Sequence, residues 1–151
     1  MPKFFNSRDL DFIKTISEEV VDYVVEQAVT LFKVSVGETK TNLYGESLGK
    51  VWRAPSTIMA IVDREPMNVV YEGFGADSSQ TVQFRFNRFT LEDKGFYPEI
   101  GDIIYHNDGY FEIDNVTEDF LIGGQTGNTF SLICSTFMTR RSSIQTEMRT
   151  I

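Results

Sequence analysis

The chain has 151 residues, 41% of them hydrophobic and 24% charged, which is the make-up of a soluble globular protein long enough for one domain with a real core. Its formal net charge of −8 opposes phosphate and argues against tight duplex binding through a basic face, while leaving room for a local basic patch. The one cysteine, Cys134, excludes an intramolecular disulfide framework and a cysteine zinc site.

In chain order, residues 7 to about 28 read as helix. Asn6 or Ser7 can cap it, and Asp9 and Asp11 stand in the first turn, where the dipole favours negative charge. Leu10, Ile13, Ile16, Val20, Val24 and Ala28 recur at three- and four-residue spacing and define an apolar stripe. Asp11, Glu18, Glu19, Asp22 and Glu26 fall largely off it. β-branched residues weaken the helical pattern after Val20. "VTLFKVSV" (29–36) fits either a helix end or a strand, and "GETKTNLYGESLGK" is a polar, glycine-containing loop.

A β-rich stretch runs from about 29 to 138. "STIMAIVD" suits a buried strand. "MNVVYEGFGADSSQTVQFRFNRFTL" gives two runs about a glycine-rich turn, with Val82, Phe84 and Phe86 alternating with Gln83, Arg85 and Asn87. "IGDIIYHNDGYFEIDNV" is a hairpin. In it Gly101 permits a tight turn beside Asp102, Asn107-Asp108-Gly109 reverses the chain, Gly109 is expected at positive φ, and Phe111 and Ile113 point inward. "DFLIGGQTGNTFSLICSTFM" adds a strand pair. The expected fold is mainly β, a small antiparallel barrel or sandwich with an N-terminal α-helix, in one domain whose tail is 139–151. "MPKFFNSRDLDFIK" lacks the order of a signal peptide and no apolar run approaches the ~20 residues that span a bilayer, so the expectation is a soluble protein, intracellular when made, with no membrane partner.

Chemistry-bearing residues are few. Asp102, Asp108, Glu112 and Asp114 cluster on the hairpin, but without calcium-loop spacing they read as its outer face. "GFGADSS" precedes a strand rather than a helix, and "GGQTGN" lacks a phosphate-loop ending. "QFRFNRF" interleaves aromatics with Arg85 and Arg88, as a single-strand stacking platform does, although strand alternation explains it equally. Cys134 reads as a buried, inert thiol. His106 has no nucleophile motif around it. No catalytic residue, metal ligand or cofactor is assigned, and the expectation is a protein that is not an enzyme.

"TKTNLYGES", "GFGADSSQTVQFRFNRF", "PEIGDIIYHNDGYFEIDNV" and "TFSLICSTFMTRRSSIQTE" together resemble the neck proteins of contractile-tailed bacteriophages. A Tyr-Gly-Glu element, here Tyr44 to Glu46, precedes the strands. A Phe-Gly segment leads into a strand ending at Arg88-Phe89, and a Pro-x-x-Gly-Asp hairpin, Pro98 to Tyr105, closes on Phe111-Glu112-Ile113. The resemblance runs from about Thr39 to the C-terminus. It departs at Phe137-Met138, where the family has a Phe-x-Tyr-like strand end, and in lacking the insertions of larger members.

The resemblance implies a structural virion protein. It implies a six-fold or twelve-fold homo-oligomeric ring at the head–tail junction, assembled in the host cytoplasm, that closes the filled head and joins it to the tail. Its partners would be copies of itself, portal or adaptor proteins, tail-terminator proteins, and phage DNA passing through the lumen without sequence preference. A negative wall suits that lumen, since strong attraction would hold the genome in place. Tyr44, Glu46, Arg140 and Arg141 are the candidate assembly contacts. Two alternatives stand beside this reading: a tail-terminator or other tail-junction ring protein, and a small β-barrel binding single-stranded nucleic acid or a ligand.

Overall fold

A computed structural model describes residues 6–35, 43–44, 50–73, 75–119 and 129–139. Helix α1, Ser7–Glu18, continues as a π-helical segment, Glu19–Val25. Asn6 is the N-cap, its N–H lying 3.5 Å from the Asp9 carboxylate, so negative charge meets the positive end of the helix. The helix stops short of residue 28. Glu26 turns left-handed at φ 47°, and Ala28 already opens a strand. The bonding pattern changes within the β-branched run "EVVDYVV", where crowding at χ1 works against a regular α-helix.

Strand β1 is Ala28–Phe32, β2 Ser56–Met59, β3 Ile61–Arg64, β4 Asn68–Glu72, β5 Gly75–Ser79 and β6 Thr81–Asn87. After a second helix, α2 (Arg88–Lys94), come β7 (Ile103–His106), β8 (Gly109–Asp119) and β9 (Ser131–Thr139). Seven strands build one antiparallel sheet in the order β2-β1-β7-β8-β9-β6-β3, and β4 and β5 form a separate two-stranded sheet. The fold is thus mainly antiparallel β with an N-terminal helix, as the alternation predicts.

The ladder is not closed into a barrel. Its two edges, β2 and β3, are consecutive and separated only by Ala60, so they cannot pair with each other. The run 56–64 bonds β1 with its first half and β6 with its second, and Ala60 N–H donates to Gln27 O (2.9 Å) at the changeover. A sheet whose edges are halves of one run has to curl strongly. Inside the curl lie Leu31, Ile58, Phe84, Phe86, Phe111 and Leu132, all fully buried.

The β7–β8 hairpin closes through a two-residue loop in which Asn107 and Asp108 carry positive φ (50° and 61°), as a type I′ turn requires. This corrects the expectation for Gly109. It pairs with His106 as the first residue of β8, outside the left-handed positions. A Cβ there would stand 2.9 Å and 3.0 Å from Phe111 Cε2 and Cζ, so this glycine makes room for a ring. Gly101 does need its freedom, at φ 93°, and its N–H donates to Ile113 O at 2.9 Å.

Helix α2 interrupts what reads in sequence as one alternating run. The Asn87 side chain accepts the Phe89 N–H at 3.0 Å as an N-cap, and Gly95 ends the helix at φ 62°. Two contacts between α1 with its π-helical continuation and α2 set how the N-terminal helix docks. Thr90 Oγ1 donates to Asp22 Oδ2 (3.0 Å), and Lys14 Nζ sits 4.3 Å from the Phe89 ring centroid. The face turned inward is therefore Leu10, Ile13, Ser17 and Val21, while Ile16, Val20 and Val24 of the expected stripe are exposed. The helix holds more apolar residues than one face can bury, so these contacts, not periodicity alone, choose between faces.

Candidate functional site

The hairpin carboxylates do not converge. Asp102 is buried and its two oxygens are used separately: Val34 N–H donates to Oδ1 (3.0 Å) and Glu99 N–H to Oδ2 (2.9 Å). Burial pushes its pKa above the usual 3.8, and these two hydrogen bonds act against that shift. Asp102 thereby ties the segment after β1 to the turn before β7. Glu112 faces Lys50 (3.0 Å), whose ammonium also reaches Gly101 O (3.5 Å). Asp108 accepts from Tyr105 Oη (2.9 Å). Asp114 is exposed, at a register shift between Ile113 and Asn115. Among the described residues no group of three His, Cys, Asp or Glu side chains is placed to hold a metal ion.

His106 is held at the hairpin mouth by Arg64, whose Nη2 lies 2.8 Å from Nδ1 and also donates to His106 O (3.2 Å). A guanidinium only donates, so the imidazole is neutral with its proton on Nε2. Burial, and then the Arg64 charge, lower its pKa below 6.5. The unfolded chain therefore takes up the proton first, and His106 makes the fold less stable as pH falls below 6.5 toward the folded value. Arg64→Met should raise the His106 pKa. The titration is readable by NMR without assignment, since the chain has one histidine. A pKa that stays put would remove Arg64 as a cause.

"QFRFNRF" does not form a stacking platform. Phe84 and Phe86 are fully buried, and Phe89 packs on Phe130 with centroids 5.7 Å apart. Arg85 pairs with Asp119 (3.6 Å) and Arg88 with Glu92 (2.9 Å). Cys134 is buried and its pKa is pushed up to about 12, chiefly by desolvation, which makes the thiol inert at neutral pH.

Of the assembly candidates, Tyr44 is exposed next to Leu43, while Glu46, Arg140 and Arg141 lie outside the described residues. Two further surfaces present apolar side chains. One is the outer side of the N-terminal helix, with Phe12, Tyr23 and Val24. The other is the β4–β5 hairpin, where Val69, Val70 and Tyr71 are exposed and every residue of β5 is exposed. The sequence pattern places this segment in the β-rich stretch from about 29 to 138, whereas in the structure it stands apart from the main sheet. A signal of this was present: "GADSS" offers no large apolar residue to a core. No helix of the described chain is long and apolar enough to cross a membrane.

No family model matches the chain, and no curated protein matches it. Among solved structures, a chain of the "Virion of native gene transfer agent (GTA) particle" is similar, with a TM-score of 0.49 and 15% identity over 75% of this chain and 94% of that one.

Proposed function

We propose that this chain is a structural virion subunit that forms a ring at a phage head–tail junction, where it closes the filled head and receives the tail. The observation that carries the reading is outward-facing apolar surface. Phe12 and Val24 on the helix, and Val69 and Tyr71 on the hairpin, are exposed on a chain whose hairpin carboxylates Asp102, Asp108 and Glu112 serve structural contacts. Exposed apolar patches on two separate elements are what a subunit offers its neighbours. Tyr44 and Glu46, with the C-terminal Arg140 and Arg141, are the proposed contacts to the adjoining rings. The resemblance of residues 39 onward to phage neck proteins supports the head–tail junction as the location. A tail-junction ring is the second reading, supported by the same surfaces. Burial of Phe84 and Phe86 weighs against a single-strand binding barrel.

Negative-stain microscopy of the purified full chain, and of particles complemented with it, tests this reading. Rings with an open lumen are expected from the protein. Tyr44→Ala, or truncation after Arg140, should leave a folded subunit that yields filled heads without attached tails. Normal tailed particles from both variants would overturn the assembly role of these segments, and a monomer that binds single-stranded DNA tightly would overturn the ring.

A further inference from the structure

We infer that Arg64 and His106 form a proton-sensitive latch across the seam of the curled sheet, closed while the imidazole is neutral and released when it is protonated, so that acid frees the end of β3 from the β7–β8 hairpin. The inference goes beyond the ring reading and does not depend on it.

The seam follows from the topology. β3 is an edge strand, bonded to β6 on one side. Glu65 N–H donates to Thr81 O (3.1 Å), and this fixes the alternation. Ile61 and Asp63 turn their backbone groups toward β6, while Val62 and Arg64 turn theirs to the open edge. β1 does not fill that edge. It begins at Ala28, opposite Met59, and Gln27 O takes the Ala60 N–H (2.9 Å). The chain ahead of it leaves through left-handed Glu26 into the π-helical segment. By the register of β1 with β7, Thr30↔Tyr105, His106 stands beside the start of β1. The end of β3 and the β7–β8 turn thus meet where no strand joins them.

Arg64 spans this gap. Its Nη2 lies 2.8 Å from His106 Nδ1 and 3.2 Å from His106 O. The guanidinium stands 5.4 Å from the Phe111 centroid, and the imidazole meets Phe84 edge-on at 6.0 Å. Both rings are fully buried, so the pair caps one end of the core. Among the described residues no carboxylate pairs with Arg64, and its Nε is buried without an acceptor. His106 therefore supplies the acceptors that hold the guanidinium across the seam.

A proton on Nδ1 removes one of those acceptors. The imidazolium donates from both nitrogens, so a donor then faces a donor and two cations stand at contact distance. The surroundings do little to offset this. β6 and β8 present the uncharged rings of Phe84 and Phe111. On the hairpin itself, Asp108 Oδ1 accepts from Tyr105 Oη (2.9 Å). Asp63 and Glu65 flank Arg64 in the chain and, like Glu26 before β1, are exposed. Opening lets the imidazole return to water, and it relieves the burial and the Arg64 charge that hold its pKa below 6.5. The open form therefore gains as pH falls below 6.5, by up to about tenfold per pH unit for one proton, and levels off below the closed-state value. The response is local, because β8 and β9 keep their ladder whether or not Arg64 holds the hairpin.

Hydrogen exchange read by mass spectrometry on the full chain, corrected for the pH dependence of intrinsic exchange, tests the latch. From neutral pH downward, protection across 61–66 and 103–109 should fall by up to about tenfold per pH unit, while 131–136 in β9 keeps its protection. The fall should level off once the imidazole, followed by NMR on the chain's single histidine, is fully protonated. His106→Gln leaves Arg64 a side-chain acceptor and removes the titration, so the pH dependence at the seam should disappear. Seam protection that is unchanged when His106 is fully protonated would overturn the inference. A loss spread evenly over the sheet would replace it with global unfolding, and the same pH dependence in His106→Gln would assign the response to carboxylates instead. If His106→Gln does not fold, the wild-type comparison of seam exchange with the imidazole titration decides by itself.

Discussion

Gly109→Val is expected to lower the melting temperature by roughly 2–12 °C, taking ~1–3 kcal/mol for overpacking and ~2–4 °C per kcal/mol at this chain length. The cause is a ring. Phe111 is fully buried, its Cε2 and Cζ stand 2.9 Å and 3.0 Å from where a Cβ would be built, and His106 O is 3.4 Å away. The ring has little room to retreat, because Phe84 meets it edge-on at 5.8 Å and the Arg64 guanidinium lies 5.4 Å from its centroid. A double-mutant cycle separates packing from backbone conformation. If the ring is the obstacle, Phe111→Leu should recover much of what Gly109→Ala loses, with a coupling of ~0.5–3 kcal/mol. Additive losses in that cycle would mean that backbone conformation at Gly109 sets the requirement.

Asp102→Asn should cost about 1–3 kcal/mol at neutral pH, read as a fall in urea midpoint with an unchanged slope. The substitution keeps the shape and removes the charge that burial penalises, so a naive reading makes it stabilising. Hydrogen bonding reverses the sign. Both carboxylate oxygens accept a backbone N–H, from Val34 and from Glu99, and an amide offers one acceptor where two are needed and points a donor at a donor. The pH dependence gives a second readout. The folded pKa is raised above 3.8, so the folded state binds the proton more tightly. Asp102's contribution is therefore greatest below 3.8 and is reduced as pH rises through the folded value. In Asp102→Asn that part of the acid-range slope should disappear. A variant as stable as the wild type would show that neither N–H depends on the carboxylate.

What neighbouring residues encode was legible in the sequence. Alternation in "TVQFRF" and "YFEI" marked strands with Phe84, Phe86, Phe111 and Ile113 inward, because side chains on a strand change face at every residue. "HNDG" marked a hairpin, because Asn and Asp tolerate positive φ. An Asn before an acidic first turn marked the helix start. Tertiary structure decided the rest, because each remaining feature depends on partners distant in the chain. Which helical face turns inward is set by Thr90 and Phe89 across from Asp22 and Lys14. The curl of the sheet is set by one run serving both β1 and β6. The role of Gly109 is set by a ring that Phe84 and Arg64 hold in place. Val69 and Tyr71 alternate like core residues, but their partners Ser78 and Ala76 bring no second apolar layer, so a segment with a core-like pattern stands exposed to solvent.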